Sequence, residues 1–273
     1  MSRKSDIELF EFDPETVGDN RICLFIGRRG SGKSTAMRAM LYYKRKIPAG
    51  ICMSETEESN RFWCQSIPKA FIYPSYKTDA VLDMIETQRE QHRVSTDRST
   101  HLPVFWVAED VMGSGELSKC KQARRVFTNG RQWGIFCLIA LQYVTDLPPK
   151  FRGQVDYVFA FRALSAPERE RLYEYFFSGA FDSYDEFVAC LKKATNDYGC
   201  LVLDATKPTT KLDEQVFYWK APEAPPFKAG SREYWQWHLM NYKADEGDEE
   251  PYESDVRRHQ IRVRLQRKDD ADT

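Results

Sequence analysis

The chain has 273 residues, enough for one large domain, or a domain with an appendage, and for a substantial buried core. With 42% hydrophobic and 14% aromatic residues it is globular, and a formal net charge of −1 argues neither for nor against a nucleic-acid partner. The N-terminus is polar without a signal-peptide pattern, and no apolar run approaches the roughly 18 residues a membrane span needs, so a soluble chain is expected.

Residues 1–20 read as a lead-in, with Ile7–Phe12 alternating like an edge strand before the turn residues Asp13-Pro14 and Gly18-Asp19-Asn20. Residues 21–243 read as one α/β domain. Its first strand, Ile22–Ile26, breaks into Gly27-Arg28-Arg29-Gly30-Ser31-Gly32-Lys33-Ser34-Thr35, which fits G-x-x-x-x-G-K-[ST]. A triphosphate is wrapped by consecutive backbone N–H groups, and positions without a side chain, here Gly27, Gly30 and Gly32, let the backbone approach that closely. Lys33 can reach the β- and γ-phosphates, Ser34 can offer its hydroxyl to Mg²⁺, and the helix that follows points its positive end at the anion. This strand, loop and helix predict binding of a nucleoside triphosphate.

The elements that follow alternate. Ala49–Met53 reads as a second strand, followed by S-E-T-E-E-S-N and an aromatic stretch broken by Pro68 and Pro74. Thr78–Val94 reads as a polar helix with Asp79 placed to cap it. Val104–Ala108 is a buried strand ending in Glu109 and Asp110. In phosphate-loop enzymes an acidic residue at a neighbouring strand tip holds Mg²⁺, and a second orients the attacking water. Acidic pairs also end strands as solvated turn residues, but position and context favour the metal and water roles here. Residues 119–132 read as a helix ending at Asn129-Gly130, and Ile135–Leu141 as a further buried strand ending in Gln142. A polar side chain there can sense the γ-phosphate or its water, or it can be an ordinary exit residue. Strand-helix alternation of this kind predicts a mainly parallel sheet covered by helices on both faces.

Beyond Val155–Phe161, Pro167–Ser178 and Tyr184–Ala194 read as amphipathic helices, and Gly199–Leu203 and Gln215–Trp219 as strands. Tyr173, Tyr175, Phe176 and Phe177 suit a core at helical spacing better than base stacking, and Trp235 and Trp237 suit docking of a terminal helix. Residues 244–273 carry ten acidic and six basic side chains, a net of −4, leaving +3 over residues 1–243. Disorder is the expectation for that segregated tail, whose basic half could also grip DNA phosphates or a partner. Seven cysteines include no C-x-x-C pair, and Cys23, Cys52, Cys137 and Cys200 lie in apolar runs. A reducing intracellular compartment is expected and a zinc site is not.

Asn129-Gly130-Arg131-Gln132-Trp133-Gly134-Ile135, the strand ending in Gln142-Tyr143, Asp146-Leu147-Pro148-Pro149 to Arg152, and Val155-Asp156-Tyr157-Val158-Phe159 together resemble the poxvirus-type DNA-packaging ATPase of large double-stranded DNA viruses, within the FtsK and HerA superfamily. The resemblance spans about residues 20–240. It implies a RecA-like P-loop NTPase fold, acting as a homo-oligomeric ring, a hexamer or pentamer, around double-stranded DNA irrespective of sequence. It also implies ATP and Mg²⁺ at Lys33 and Ser34, metal and water contacts from Glu109 and Asp110, and Gln142 as sensor. A trans-acting arginine would complete the neighbour's site, with Arg131 the first match and Arg152 the second. A capsid or portal component would recruit the ring at the virion or at viral assembly sites, in the cytoplasm. The superfamily usually places Asp first at this strand tip, so either Glu109 or Asp110 can occupy the metal position. A small-molecule phosphate-loop kinase and a non-hydrolysing nucleotide-gated scaffold are the competing classes, and no N-K-x-D motif supports a GTPase.

Overall fold

The computed structural model describes residues 7–111 and 120–243. The charged tail 244–273, residues 1–6 of the lead-in, and Lys119 at the start of the expected helix lie outside these. Nine strands form one mixed sheet in the order β1-β9-β8-β7-β2-β6-β5-β3-β4. The strands are β1 (Phe10–Glu11), β2 (Ile22–Ile26), β3 (Ala49–Ser54), β4 (Ile72–Tyr73), β5 (Val104–Glu109), β6 (Ile135–Leu141), β7 (Tyr157–Ala160), β8 (Cys200–Asp204) and β9 (Val216–Trp219). From β7 to β4 every neighbouring pair is parallel. On the other side β8 runs antiparallel to β7 and to β9, and the lead-in strand β1 closes the edge parallel to β9. The fold is therefore α/β, with a mostly parallel sheet flanked by helices.

The central strands are apolar throughout because both faces are covered. Alternate residues of β2 serve opposite layers: Ile22, Leu24 and Ile26 join one apolar cluster, and Cys23 and Phe25 the other. Helix α1 (Lys33–Tyr43) buries Ala36, Met37, Met40 and Leu41 on the second face, in the cluster that Tyr234 and Trp235 of helix α6 (Arg232–Asn241) also join. The first face is covered by α2 (Thr78–Val94), α3 (Lys121–Asn129), α4 (Ala166–Leu172) and α5 (Tyr184–Ala194). Burial pushes the thiols of Cys23, Cys52, Cys137 and Cys200 up, as expected of cysteines that serve as small core residues.

Two local expectations change. Asp79 lies inside the first turn of α2; the cap position is Lys77, and no side chain caps the helix. The helix expected over 167–178 is α-helical only through Leu172 and then widens into a π-helical turn, Tyr173–Phe177. Its start is secured by a capping box between Ser165 and Glu168. The aromatics of that turn pack inward, Phe177 fully buried and Tyr173 and Phe177 against Phe187, whereas Trp237 is half exposed and rests on Phe71.

Gly50 sits in β3 opposite Phe105, where a Cβ would run into the Phe105 ring and carbonyl. Gly50→Ala is therefore expected to overpack the sheet by about 1–3 kcal/mol. Thermal unfolding followed by circular dichroism should show a midpoint lower by about 2–12 °C.

Candidate functional site

The parallel strands carry their C-terminal ends to one edge of the sheet, and the loops that follow β2, β3, β5, β6 and β7 converge there. The glycine loop follows β2, with Gly30 and Gly32 at φ of 70° and 100°, a region open to glycine. Gly27 lies so close to Phe161 that a Cβ would stand 2.6 Å from that side chain. The amide of Gly27 donates to the Leu141 carbonyl (3.1 Å), binding the loop to the end of β6. Arg28, Arg29 and Thr35 line the open side of the cleft, whose volume is about 880 Å³.

Lys33, the first residue of α1, is only 5% exposed, and its Nζ donates to the carbonyls of Gly27 (2.6 Å) and Arg28 (3.2 Å). Burial lowers its pKa, opposed by the carboxylates of Asp110 and Glu109. Asp110 Oδ1 is 4.0 Å from Lys33 Nζ, and Gln142 Nε2 donates to Asp110 Oδ2 at 3.4 Å. Asp110 holds a left-handed backbone, φ 54°, which costs a non-glycine residue about 1 kcal/mol or more and occurs where neighbours fix it. Its amide donates to the Ala140 carbonyl at 3.4 Å, so β6 steadies both the phosphate loop and the acidic tip.

Glu109 is almost completely buried, and its carboxylate gathers the remaining parts. One oxygen accepts from the Ser34 hydroxyl; the other accepts from Ser54 Oγ (3.0 Å) and Trp63 Nε1 (2.7 Å). Glu109, the residue with the longer side chain, thus faces Ser34, while Asp110 faces Lys33 and Gln142. Trp63 is in turn set by Glu57, whose carboxylate accepts the amides of Trp63 and Cys64, both at 2.8 Å. Ser54, Glu57 and Trp63 were not singled out from sequence. Ser54 and Glu57 lie in a polar stretch without periodicity, and Trp63 in an aromatic one, so only the tertiary contact reveals them.

The two arginines fall elsewhere. Arg131 precedes β6, hence lies at the opposite sheet edge from Gln142, about 20 Å away at a strand rise near 3.3 Å per residue. There it pairs with Asp156 and is 57% exposed. Arg152 stacks its guanidinium 3.4 Å from the Tyr175 ring centre and donates to the Leu147 carbonyl at 3.3 Å. Neither lines the cleft around the phosphate loop of its own chain. Arg162, which follows β7, lines the mouth of the cleft beside Arg28, Arg29 and Gln142.

This edge has the hallmarks of the P-loop NTPase class: a glycine loop, a buried lysine, and a hydroxyl and carboxylate in contact. No protein-family model matches the chain. It is 30% identical over 231 residues to uncharacterized protein 075L of Invertebrate iridescent virus 6, covering 83% of this chain and 88% of that protein. To uncharacterized protein 088R of Invertebrate iridescent virus 3 it is 33% identical over 227 residues, covering 81% and 84%. The chain belongs to the family of these viral proteins. In fold it is similar to B204, the DNA-packaging ATPase of Sulfolobus Turreted Icosahedral Virus, with TM-score 0.51, 16% identity, and 75% and 98% of the two chains covered. It is also similar to the genome packaging NTPase B204 of Sulfolobus turreted icosahedral virus 2 in complex with AMP, with TM-score 0.52, 14% identity, and 76% and 100% covered. Among the described residues no helix is long and apolar enough to cross a membrane.

Trp63→Phe removes one of three donors to a buried carboxylate and is expected to destabilise the fold by about 1.5–3 kcal/mol. A lowered urea midpoint with an unchanged slope would report this; an unchanged midpoint would show that the indole bond contributes nothing.

Proposed function

We propose that this chain is an ATP-driven translocase that moves double-stranded DNA into a viral capsid. The observation that carries the reading is the convergence of Lys33, Ser34, Glu109, Asp110 and Gln142 on one sheet edge, with Arg131 presented at the other. A catalytic edge and an arginine edge on opposite ends of one domain suit a ring in which each subunit completes its neighbour's site, pentameric or hexameric. The packaging role of B204 and the membership among viral proteins support the same reading. Such a ring would work at the virion or at viral assembly sites, recruited by a capsid or portal component.

The residues fit a nucleotide with Mg²⁺. Ser31 Oγ and Asp110 Oδ1 are buried beside the loop without a hydrogen-bond partner. The hydroxyl of Ser34 and the carboxylate of Glu109 form the hard oxygen pair that Mg²⁺ prefers, and would hold it. The ion supplies charge neutralisation on the transferring phosphoryl group. Backbone N–H groups of residues 28–35 wrap the phosphates, and Lys33 exchanges its carbonyl contacts for phosphate oxygens. Asp110 orients the attacking water and takes its proton, while Gln142, bonded to Asp110, reports whether the γ-phosphate is present. The guanidinium of Arg131 of the adjoining copy stabilises the transition-state charge. ATP binding and hydrolysis alternately tighten and release the subunit boundary, and the DNA contact, made to phosphates, is indifferent to sequence.

Phosphate release should be stimulated by linear double-stranded DNA at low salt, fade toward physiological salt, and vanish in Lys33→Ala. Transfer of phosphate to a nucleoside, or turnover independent of Lys33, would overturn the reading. The roles of the acidic pair separate by substitution. Asp110→Asn should bind nucleotide normally with turnover reduced by about 10²-fold or more, whereas Glu109→Gln should raise the Mg²⁺ concentration needed for half-maximal turnover. Unchanged Mg²⁺ dependence in Glu109→Gln would exchange the two assignments.

A further inference from the structure

We propose that Asp156 is the positioning residue of Arg131, holding its guanidinium at the sheet edge where the adjoining copy's nucleotide would meet it. The inference rests on the reading of Arg131 as an arginine that acts across a subunit boundary.

Asp156 precedes β7 and is only 1% exposed, yet its carboxylate collects three donors from two segments, Arg21-Ile22 and the turn at Arg131. The amide of Ile22 donates to Oδ2 at 2.9 Å, Arg21 Nη1 donates to Oδ1 at 3.2 Å, and Arg131 Nη2 also donates to Oδ1. One buried carboxylate needs one cation, and the less exposed Arg21 supplies it. Arg131 is the surplus charge, and its side chain remains 57% exposed. Its backbone is fixed as well: Asn20 Nδ2 donates to the Arg131 carbonyl at 3.0 Å. The turn around it is closed by bonds from Trp133 N to Asn129 O (3.1 Å) and from Ile135 N to Gly130 O (2.8 Å).

A long arginine on an exposed turn loses rotamer freedom when it must meet a phosphate, and that loss is smaller where a fixed partner has already chosen the rotamer. Among the described residues Asp156 engages Nη2 of Arg131 alone, so the other N–H donors of the fork remain for an anion. Because Arg21 stays on the carboxylate, Arg131 can lean toward a phosphate without leaving a buried charge bare. The same carboxylate holds the first residue of β2, whose far end is the phosphate loop of the same chain, so the presented arginine and that chain's own site share one rigid strand.

The test compares steady-state, DNA-stimulated ATP hydrolysis of the full-length chain with that of Arg131→Ala, Asp156→Asn and Arg21→Ala. Arg131→Ala is expected to abolish turnover. Asp156→Asn should lower kcat by about tenfold or more with KM for ATP within about twofold, because the arginine remains but is misplaced. Arg21→Ala should lower the melting temperature and reduce kcat less than Asp156→Asn does, because Arg131 stays placed but becomes the carboxylate's one remaining arginine. Mixing Asp156→Asn with Lys33→Ala subunits should restore activity at about one boundary in four, where an intact phosphate loop meets an intact arginine. A defect confined to the variant's own fold or site would not be restored by mixing. Full turnover in Arg131→Ala would overturn both the reading and this inference. An inactive Arg131→Ala beside a fully active Asp156→Asn would overturn this inference alone, as would an equal kcat loss in Arg21→Ala. Should Asp156→Asn not fold, Asp156→Glu keeps the charge and shifts the carboxylate by a methylene. A lowered kcat at unchanged KM in that variant supports the positioning role, and undiminished kcat sinks it.

Discussion

The carboxylate of Glu109 is the constraint on which the site depends. A carboxylate this deep in an apolar sheet is tolerable only when its oxygens find hydrogen-bond donors. The engagement recruits one donor from each of three segments: Ser34 from the helix after the phosphate loop, Ser54 from the neighbouring strand, and Trp63 from the aromatic stretch. Satisfying one carboxylate therefore fixes the relative positions of the loop, the strand tip and the wall of the cleft. The buried carboxylate with its three neutral donors is a specificity device as much as a stabilising one, since an apolar residue at 109 would leave those three segments without a common partner.

A second constraint is sheet direction. Parallel strands from β4 to β7 send all their C-terminal ends to one edge, so Gly27, Asp110 and Gln142 meet although they are far apart in sequence. The same directionality carries Arg21, Arg131 and Asp156, which precede their strands, to the other edge. Strand β6 spans both, with Arg131 before it and Gln142 after it, and its terminal carbonyls accept the amides of Gly27 and Asp110. A fully buried strand of seven residues holds these two edges at a fixed separation.

Much of this architecture was legible in sequence. Continuous apolar runs at 22–26, 104–108 and 135–141 could only be strands buried on both faces, and the structure places all three side by side at the centre. Helix α5 runs from Tyr184 to Ala194 as the pattern predicts, because Ser183 caps it and Phe187, Cys190 and Leu191 form one buried stripe. The failures are at ends and irregularities. Asp79 has the composition of a cap but lies one position inside the first turn, and the π-helical turn at Tyr173–Phe177 follows from aromatic packing against Phe187, which local propensity does not encode. The antiparallel pairing of β8 and β9, and the return of β1 to their edge, are likewise long-range choices.

By itself the sequence determined the phosphate loop, the buried strands and the identities of the acidic and arginine candidates, because spacing and hydrophobic pattern are local properties of the chain. Which carboxylate touches Ser34 was decided only by tertiary structure. At a strand tip successive side chains point opposite ways, and the left-handed turn at Asp110 sends it toward Lys33 and Gln142 while Glu109 remains in the pleat. Tertiary structure also decided that Arg131 stands on Asp156 at the far edge and that Arg152 is stacked against Tyr175. Partners separated by 25 and 23 residues are joined there by the folding of the sheet and its helices, and no local pattern in the chain announces them.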